Sequence, residues 1–156
     1  MPSAIPAGYH SVTAYLYVDG AAAAIAFYKQ AFGATELLRM QLPDGKIMHA
    51  EIKIGDSPVM LTDANPDWGV RDPTALGGIS GNMMIYVEDV DAAFARALAA
   101  GATETKAVED QFWGDRMGTL TDPYGHQWSL ATHVEDVAGD EMERRFEEAI
   151  KQMQAG

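Results

Sequence analysis

Residues 17–34 read YVDGAAAAIAFYKQAFGA, and residues 86–102 read YVEDVDAAFARALAAGA. Each stretch ends a strand-like segment, breaks at an aspartate, continues as an alanine-rich helix and leaves through Gly-Ala. The two copies are offset by 69 residues at the start and by 68 at the end. A repeat of this length indicates a duplicated supersecondary unit whose two copies bury a face against each other.

The first copy is predicted to contain one helix and four strands. The helix covers about Ala21–Phe32 and stops at Gly33. Strands are predicted at about 11–18, 36–41, 47–54 and 58–62, where apolar residues alternate or cluster between turn residues. The order is therefore strand, helix, strand, strand, strand.

The second copy repeats this order. Asp89 is a predicted N-cap for a helix that carries Val90 and Phe94 on its inner side. The strands are predicted at about 82–88, 103–108, 116–121 and 127–133, with a turn at residues 122–125. A closing phrase follows each copy: Met60-Leu-Thr-Asp63 in the first and Thr119-Leu-Thr-Asp122 in the second.

Two segments lie outside the repeat. Residues 64–81 link the copies, and residues 140–154 predict a C-terminal helix with one apolar stripe. We therefore predict one α+β domain spanning 1–156, with module one at about 10–63 and module two at about 82–134.

The composition excludes several classes of partner. Eleven basic and twenty-three acidic residues give a formal charge of −12, which leaves no basic surface for nucleic acid or anionic membranes. The chain has no cysteine, so disulfides and thiolate chemistry are excluded. No signal peptide or membrane-spanning run is visible, and the expected location is the cytoplasm.

Several phrases carry a family resemblance. They are TAYLYVDG (13–20), FYKQAFGA (27–34), IMHAEIKIGDSPVMLTD (47–63), MMIYVEDVDAAF (83–94) and FWGDRMGTLTDPYGHQWSLATHVEDV (112–137). Together they resemble the vicinal-oxygen-chelate superfamily of glyoxalases, bleomycin-resistance proteins and dioxygenases, and within it the PhnB-like branch. The resemblance implies two tandem βαβββ modules that form a cupped mixed sheet around a small ligand. It does not specify a reaction, because this superfamily carries several chemistries.

The resemblance also marks four positions as metal ligands in the metal-dependent members. In this chain they are Thr13, Met60, Asn82 and Ser129. None offers a carboxylate or an imidazole, the donors that divalent metals prefer, so we expect no metal and no cofactor. The alternative is one divalent metal per chain at a different site, built on His49 and Glu51 with a further ligand.

The remaining polar residues predict a site for a small molecule. His49 and Glu51 are two apart on one strand and so share a face, as a general base with its orienting partner or as a structural pair. Arg116 is expected to bind a ligand carboxylate or phosphate, or alternatively to form a salt bridge with Asp115 or Asp122. The other predicted ligand-binding residues are Tyr15, Tyr17, Met60, Tyr86 and Trp113, the last as a stacking wall.

The leading functional prediction is thus a PhnB-like small-molecule-binding protein, a homodimer without the usual metal centre. Whether it also modifies its ligand is left open. The alternative is a divalent-metal-dependent lyase, isomerase or dioxygenase of the same superfamily.

Overall fold

Two four-stranded sheets are built from successive halves of the chain in the computed structural model, which describes residues 1–156. The first half gives β1 (Ala14–Val18), α1 (Ala21–Phe32), β2 (Thr35–Gln41), β3 (Ile47–Ile54) and β4 (Ser57–Asp63). A 3-10 turn at Pro66–Trp68 and the short helix α2 (Pro73–Leu76) follow. The second half gives β5 (Met83–Tyr86), α3 (Val90–Ala100), β6 (Thr103–Asp110), β7 (Asp115–Thr121) and β8 (Gln127–His133), and the chain ends in α4 (Gly139–Ala155).

The two sheets have the same topology. Their strand orders are β1-β4-β3-β2 and β5-β8-β7-β6, with one parallel pair in each, β1 with β4 and β5 with β8. The predicted α+β fold with two βαβββ modules and a C-terminal helix is confirmed. The 69-residue offset also extends to the parallel pairs, since Tyr15 lies opposite Met60 and Met84 lies opposite Ser129.

The closing phrase that follows each copy does not mark equivalent positions. Asp63 ends β4, the last strand of its module, whereas Asp122 directly follows β7, the third strand of the other. Val18 lies opposite Asp63, and one residue beyond the Tyr86–Ala131 pair the corresponding residue is Thr132. The similarity of the two phrases is therefore local and does not reflect the duplication.

Asp63 and Thr132 nevertheless share one role: each accepts hydrogen bonds from the backbone at the start of a helix, Asp63 through a carboxylate and Thr132 through a hydroxyl. The Asp63 carboxylate accepts hydrogen bonds from the backbone N–H groups of Gly20 and Ala21, at 2.9 and 2.8 Å, where α1 begins without a capping side chain of its own. The Thr132 hydroxyl accepts from the N–H of Val90, the first residue of α3, at 2.9 Å. Each last strand thus satisfies helix-terminal donors that would otherwise lack a partner.

The modules are joined through their helices. One apolar core of 22 buried residues spans both halves, and α1 packs against α3. Trp128 of β8 reaches the first module, with its ring centroid 5.4 Å from Tyr28 and 4.8 Å from Phe32. Arg96 on α3 donates to the carbonyl of Gln30 near the end of α1 at 2.8 Å.

A buried carboxylate also crosses this boundary. Asp122 Oδ2 accepts from the Tyr28 hydroxyl at 2.5 Å and from Trp128 Nε1 at 2.9 Å. Its Oδ1 accepts from the backbone N–H groups of Tyr124 and His126, at 2.9 and 3.0 Å. Four donors therefore compensate the burial of this charge, which is costly unless it is hydrogen-bonded.

The C-terminal helix α4 lies outside the core and contributes no buried residue to it. Arg145 anchors it, since its guanidinium contacts the Glu135 carboxylate at 2.7 Å and the Phe112 carbonyl at 3.1 Å. None of the helices combines the length and the apolar character needed to cross a membrane.

Candidate functional site

The sheet of the first module has one face on α1 and one face away from it, which we call the open face. Strand alternation places Leu16, Ala50 and Leu61 in the core under α1 and their neighbours on the open face. Register pairing then gives a row of Tyr15, Met60 and Glu51 across β1, β4 and β3. Met60 is partly buried in that row.

Two tyrosine rings of β1 dominate the open face. Tyr15 and Tyr17 remain 46% and 39% exposed, and their ring centroids are 5.9 Å apart in an edge-to-face arrangement. Such exposed aromatic surface on a rigid strand provides a flat apolar contact for a ligand.

A series of polar contacts runs from these rings across the sheet. The Tyr15 hydroxyl and His49 Nδ1 are 2.8 Å apart, and His49 Nε2 lies 3.6 Å from Glu51 Oε2. The Tyr9 hydroxyl donates to the other Glu51 oxygen. We call Tyr15, His49, Glu51 and Tyr9 the polar relay. The 3.6 Å step is too long for a hydrogen bond, so Glu51 acts on His49 through its charge.

Both phenols of the relay are held in their neutral form. Burial, the hydrogen bond to Glu51 and the Glu51 charge raise the pKa of Tyr9 to about 12. Burial, followed by the nearby Tyr17 and Glu51, raises the pKa of Tyr15. Both hydroxyls therefore keep the proton that they can donate.

Two grooves flank the tyrosines. The hairpin groove, about 350 Å³, is lined by Tyr15, Tyr17, Lys46, Met48, Asp63 and Trp68 among others. The linker groove, about 630 Å³, is lined by Tyr15, Tyr17, Arg71, Leu76, Ile79 and His126 among others. The tyrosine pair thus forms the ridge that the two grooves share.

In the second module the predicted residues collect around Asp115, which is only 4% exposed. Its carboxylate accepts from the Tyr86 hydroxyl at 2.9 Å and from Trp113 Nε1 at 3.2 Å, and lies 2.8 Å from His133 Nδ1. Burial raises the pKa of Asp115, but these hydrogen bonds outweigh it and leave the pKa below its ordinary value. The polar atoms of Tyr86 and Trp113 are thus already bonded within the chain.

Arg116 lies on the side of its sheet that faces α3. Its guanidinium binds both oxygens of Asp91 on that helix, at 2.8 and 2.9 Å, and reaches Asp110 at 3.3 Å. These two carboxylates raise the pKa of Arg116. The arginine forms an internal ion pair, as in the alternative interpretation, but with partners on α3 and β6 rather than with Asp115 or Asp122. The structure does not bring it to the polar relay.

The family model of the Glyoxalase/Bleomycin resistance protein/Dioxygenase superfamily matches residues 8–130, which include the first module, the relay and all of the second module except the end of β8. The chain belongs to this superfamily. An uncharacterized protein of Mycobacterium tuberculosis is 48% identical over 136 residues, covering 85% of this chain and 80% of the relative.

Solved structures of similar fold extend the comparison. TioX from Micromonospora sp. ML1 is similar at a TM-score of 0.62 with 28% identity, covering 83% of this chain and 100% of TioX. A gene product of Arabidopsis thaliana is similar at a TM-score of 0.64 with 26% identity, covering 79% of this chain and 98% of the other.

The four positions that the superfamily resemblance assigns to metal ligands do not suit a metal here. Ser129 is 3% exposed, and its hydroxyl already accepts from Asn82 Nδ2 at 2.9 Å and lies 3.0 Å from the Thr119 hydroxyl. Met60 offers a thioether and Thr13 a neutral hydroxyl, which are poor ligands for Zn²⁺, Ni²⁺ or Fe²⁺. No three His, Asp or Glu side chains lie close enough together to hold one ion. We therefore assign no role in ligand binding or catalysis to a metal at these four positions.

The sequence interpretation missed two groups. Tyr9 precedes β1 and follows no strand or helix pattern, so nothing in the sequence indicates that its hydroxyl reaches Glu51. The pairing of Asp115 with His133 was also missed, because counting outward from the turn predicted at 122–125 places Asp115 opposite Thr132, whereas β7 and β8 pair one residue further along.

Proposed function

We propose that the chain binds a small organic molecule on the open face of its first module, with the ligand stacked on Tyr15 and Tyr17. The observation that carries this proposal is the conjunction of two exposed aromatic rings with the polar relay behind them. An apolar ligand surface would be removed from water on the tyrosine ridge, which favours binding at about 25 cal/mol per Å². His49 supplies the polar contact that orients the ligand.

His49 is also the proposed proton acceptor if the bound molecule is modified. In the tautomer whose proton is on Nε2, the Tyr15 hydroxyl donates to Nδ1, and the Glu51 carboxylate lies 3.6 Å from Nε2. A ligand that gives up a proton must displace the Tyr15 hydroxyl from Nδ1. Proton transfer therefore requires the Tyr15 hydroxyl to leave Nδ1, whereas binding does not. This difference allows binding and proton transfer to be separated experimentally.

We further propose that the chain belongs to the PhnB-like branch, because it carries the five phrases that resemble this branch. We also propose that it binds its ligand without a metal, because Thr13, Met60, Asn82 and Ser129 are poor metal ligands. Elemental analysis of protein purified without chelators tests the second point. One Fe, Ni, Mn or Zn per chain that disappears in His49→Ala would replace this proposal with a metal-dependent lyase, isomerase or dioxygenase.

The proposed assembly is a homodimer in which the second copy packs on the β2 edge of the open face, beside the ligand site. Leu38 and Met40 on the edge strand β2 lie opposite Glu51 and His49 and remain 37% and 53% exposed. Exposed apolar side chains beside a ligand site mark an interaction surface. Sedimentation should give a dimer for the native chain and a monomer for Leu38→Glu with Met40→Glu, and a native monomer would refute this assembly.

The binding site itself is tested with neutral planar probes, namely indole, quinoline and 2-naphthalenemethanol. Chemical-shift changes in ¹⁵N-labelled protein should centre on Tyr15, Tyr17 and their strand neighbours, and Tyr17→Ala should weaken binding. His49→Gln should reduce the affinity for the hydrogen-bonding probes, whereas the matched His10→Gln, an exposed histidine outside the relay, should not. Shift changes centred on Tyr86 instead would refute the proposed location.

A further inference from the structure

Arg71 is unusual among the six arginines because its guanidinium has no partner. It is exposed and takes part in none of the ion pairs or side-chain hydrogen bonds of the chain. The other five are engaged, four with carboxylates and one with backbone carbonyls: Arg39, Arg116, Arg144, Arg145 and Arg96. In a chain with more than twice as many acidic as basic residues, a free arginine is not explained by a shortage of acids.

The linker groove into which Arg71 faces also differs from the rest of the surface. No aspartate or glutamate lines it, whereas the hairpin groove contains Asp63. Although the protein has a formal charge of −12, this groove is lined by the Arg71 cation and by no carboxylate. A concave site of one sign with apolar walls focuses the field on a ligand of the opposite sign.

The floor of the groove adds further donors. The backbone N–H groups of Ile79, Ser80 and Gly81 donate to no other group of the chain, although all three residues line the groove. His126 is fixed at the same groove by the contact between its Nε2 and the Tyr17 carbonyl, 2.8 Å apart. Three residues with unpaired backbone N–H groups thus line the same groove as Arg71.

We propose that Arg71 and the 79–81 loop bind an anionic group, a carboxylate or a phosphate, of the ligand whose planar body stacks on Tyr15 and Tyr17. This inference rests on the proposed function and narrows it to anionic organic molecules. The guanidinium fork matches both oxyanions in a bidentate manner, and the tyrosine ridge is shared by the linker groove, so one molecule reaches both.

The test compares three probes with the same ring system: 2-naphthoate, 2-naphthyl phosphate and neutral 2-naphthalenemethanol. Isothermal titration of the full-length native chain should give the two anions an advantage of about 10- to 100-fold over the alcohol, the range of one charge-assisted contact. The ratio between naphthoate and the phosphate identifies which oxyanion the site prefers. Arg71→Gln should abolish the advantage and leave the affinity for the alcohol unchanged.

Three variants serve as controls for this comparison. Lys151→Gln removes an unpaired positive charge from the remote helix α4 and should leave the advantage intact, while Arg71→Lys should keep part of it because the charge remains. Lys46→Gln removes the cation of the hairpin groove and should also have little effect. Loss of the advantage in Lys46→Gln but not in Arg71→Gln would overturn the assignment of the anion to the linker groove.

The two proposals fail differently. If the three probes bind equally well at the tyrosines, the anion site is refuted and the proposed function stands. If none of them binds, the proposed function fails, and the anion site fails with it.

Discussion

The hydrogen bond between Tyr28 and Asp122 is predicted to be one of the strongest single links between the two modules. The Tyr28 side chain is fully buried, Asp122 is 4% exposed, and the hydroxyl donates at 2.5 Å. A hydrogen bond to a charged group contributes about 1.5–3 kcal/mol. Tyr28→Phe keeps the ring and removes only this donor, so we expect the free energy of unfolding to fall by that amount.

The expected result is measurable by thermal and urea unfolding. For a chain of this size, 1 kcal/mol corresponds to about 2–4 °C in Tm, so Tyr28→Phe should lower Tm by about 3–12 °C. Tyr124→Phe is the matched control, since its ring contacts Tyr28 but its hydroxyl makes no hydrogen bond in the chain. A loss for Tyr28→Phe that is no larger than for Tyr124→Phe would refute the reasoning.

Asp122→Asn completes the test as a double-mutant cycle. Two backbone N–H groups meet one carboxylate oxygen, and Trp128 N–H meets the other. In either orientation of the introduced asparagine amide, its NH₂ group faces an N–H group that can only donate. The lost hydrogen bond should cost at least about 2 kcal/mol. The coupling energy between the two substitutions should be about 0.5–3 kcal/mol, and a coupling near zero would show that Tyr28 and Asp122 act independently.

The same hydrogen bond predicts a response to alkaline pH. Burial, followed by the Asp122 charge and the hydrogen bond to it, raises the pKa of Tyr28 well above its ordinary value. In the unfolded chain this phenol ionises near pH 10. Its contribution to stability is therefore complete below about pH 10 and is lost as the pH rises toward the higher folded pKa. Tyr28→Phe should make the decline in stability above pH 10 less steep, and an unchanged slope would contradict this.

Three further predictions concern other parts of the fold. Asp63→Ala removes the acceptor at the start of α1 and should cost about 2 kcal/mol in urea unfolding, whereas Asp56→Ala in an exposed turn should cost much less. Gly118→Ala would place a Cβ 2.8 Å from the nearest side-chain carbon and should cost about 1–3 kcal/mol, whereas Gly139→Ala meets nothing within 4 Å and should be neutral. Hydrogen bonds to two carboxylates raise the pKa of His133, so its stabilising contribution should be present below about pH 6.5 and lost as the pH rises through the folded value; an NMR titration of the ring that shows no raised pKa would contradict this.

Much of the fold could be predicted because its patterns are local. The helix Ala21–Phe32 and the strands Ile47–Ile54 and Gln127–His133 occur at their predicted bounds, since turn residues and alternation define both ends. The two strands β1 and β5 were predicted too long, beginning at 11 and 82 instead of 14 and 83. Each lies at the edge of its sheet with one hydrogen-bonded neighbour and pairs with only part of that neighbour, since β4 and β8 both extend beyond the paired residues.

The candidate site was less accessible because it depends on tertiary partners. Alternation along β3 placed His49 and Glu51 on one face, and the register with Met60 confirms that face. The partners of Arg116 come from α3 and β6, which no spacing along β7 can indicate. Arg71 lies in a linker that shows neither the repeat nor strand alternation. The sequence therefore does not indicate that its guanidinium lacks a partner, which only the side-chain contacts of the folded chain reveal.

The duplication also explains where this superfamily member places its polar groups. Equivalent positions in the two modules no longer carry equivalent chemistry: Asp63 corresponds to Thr132, and Met60 to Ser129. In the first module the Tyr17 hydroxyl makes no hydrogen bond within the chain and the partly buried His49 is hydrogen-bonded only to Tyr15, while in the second the polar atoms of the exposed Tyr86 and His133 bind the buried Asp115. A charge satisfied inside the chain stabilises the fold but is not free for a ligand. We therefore place the ligand on the first module, where fewer of the polar groups are already bonded to a buried charge.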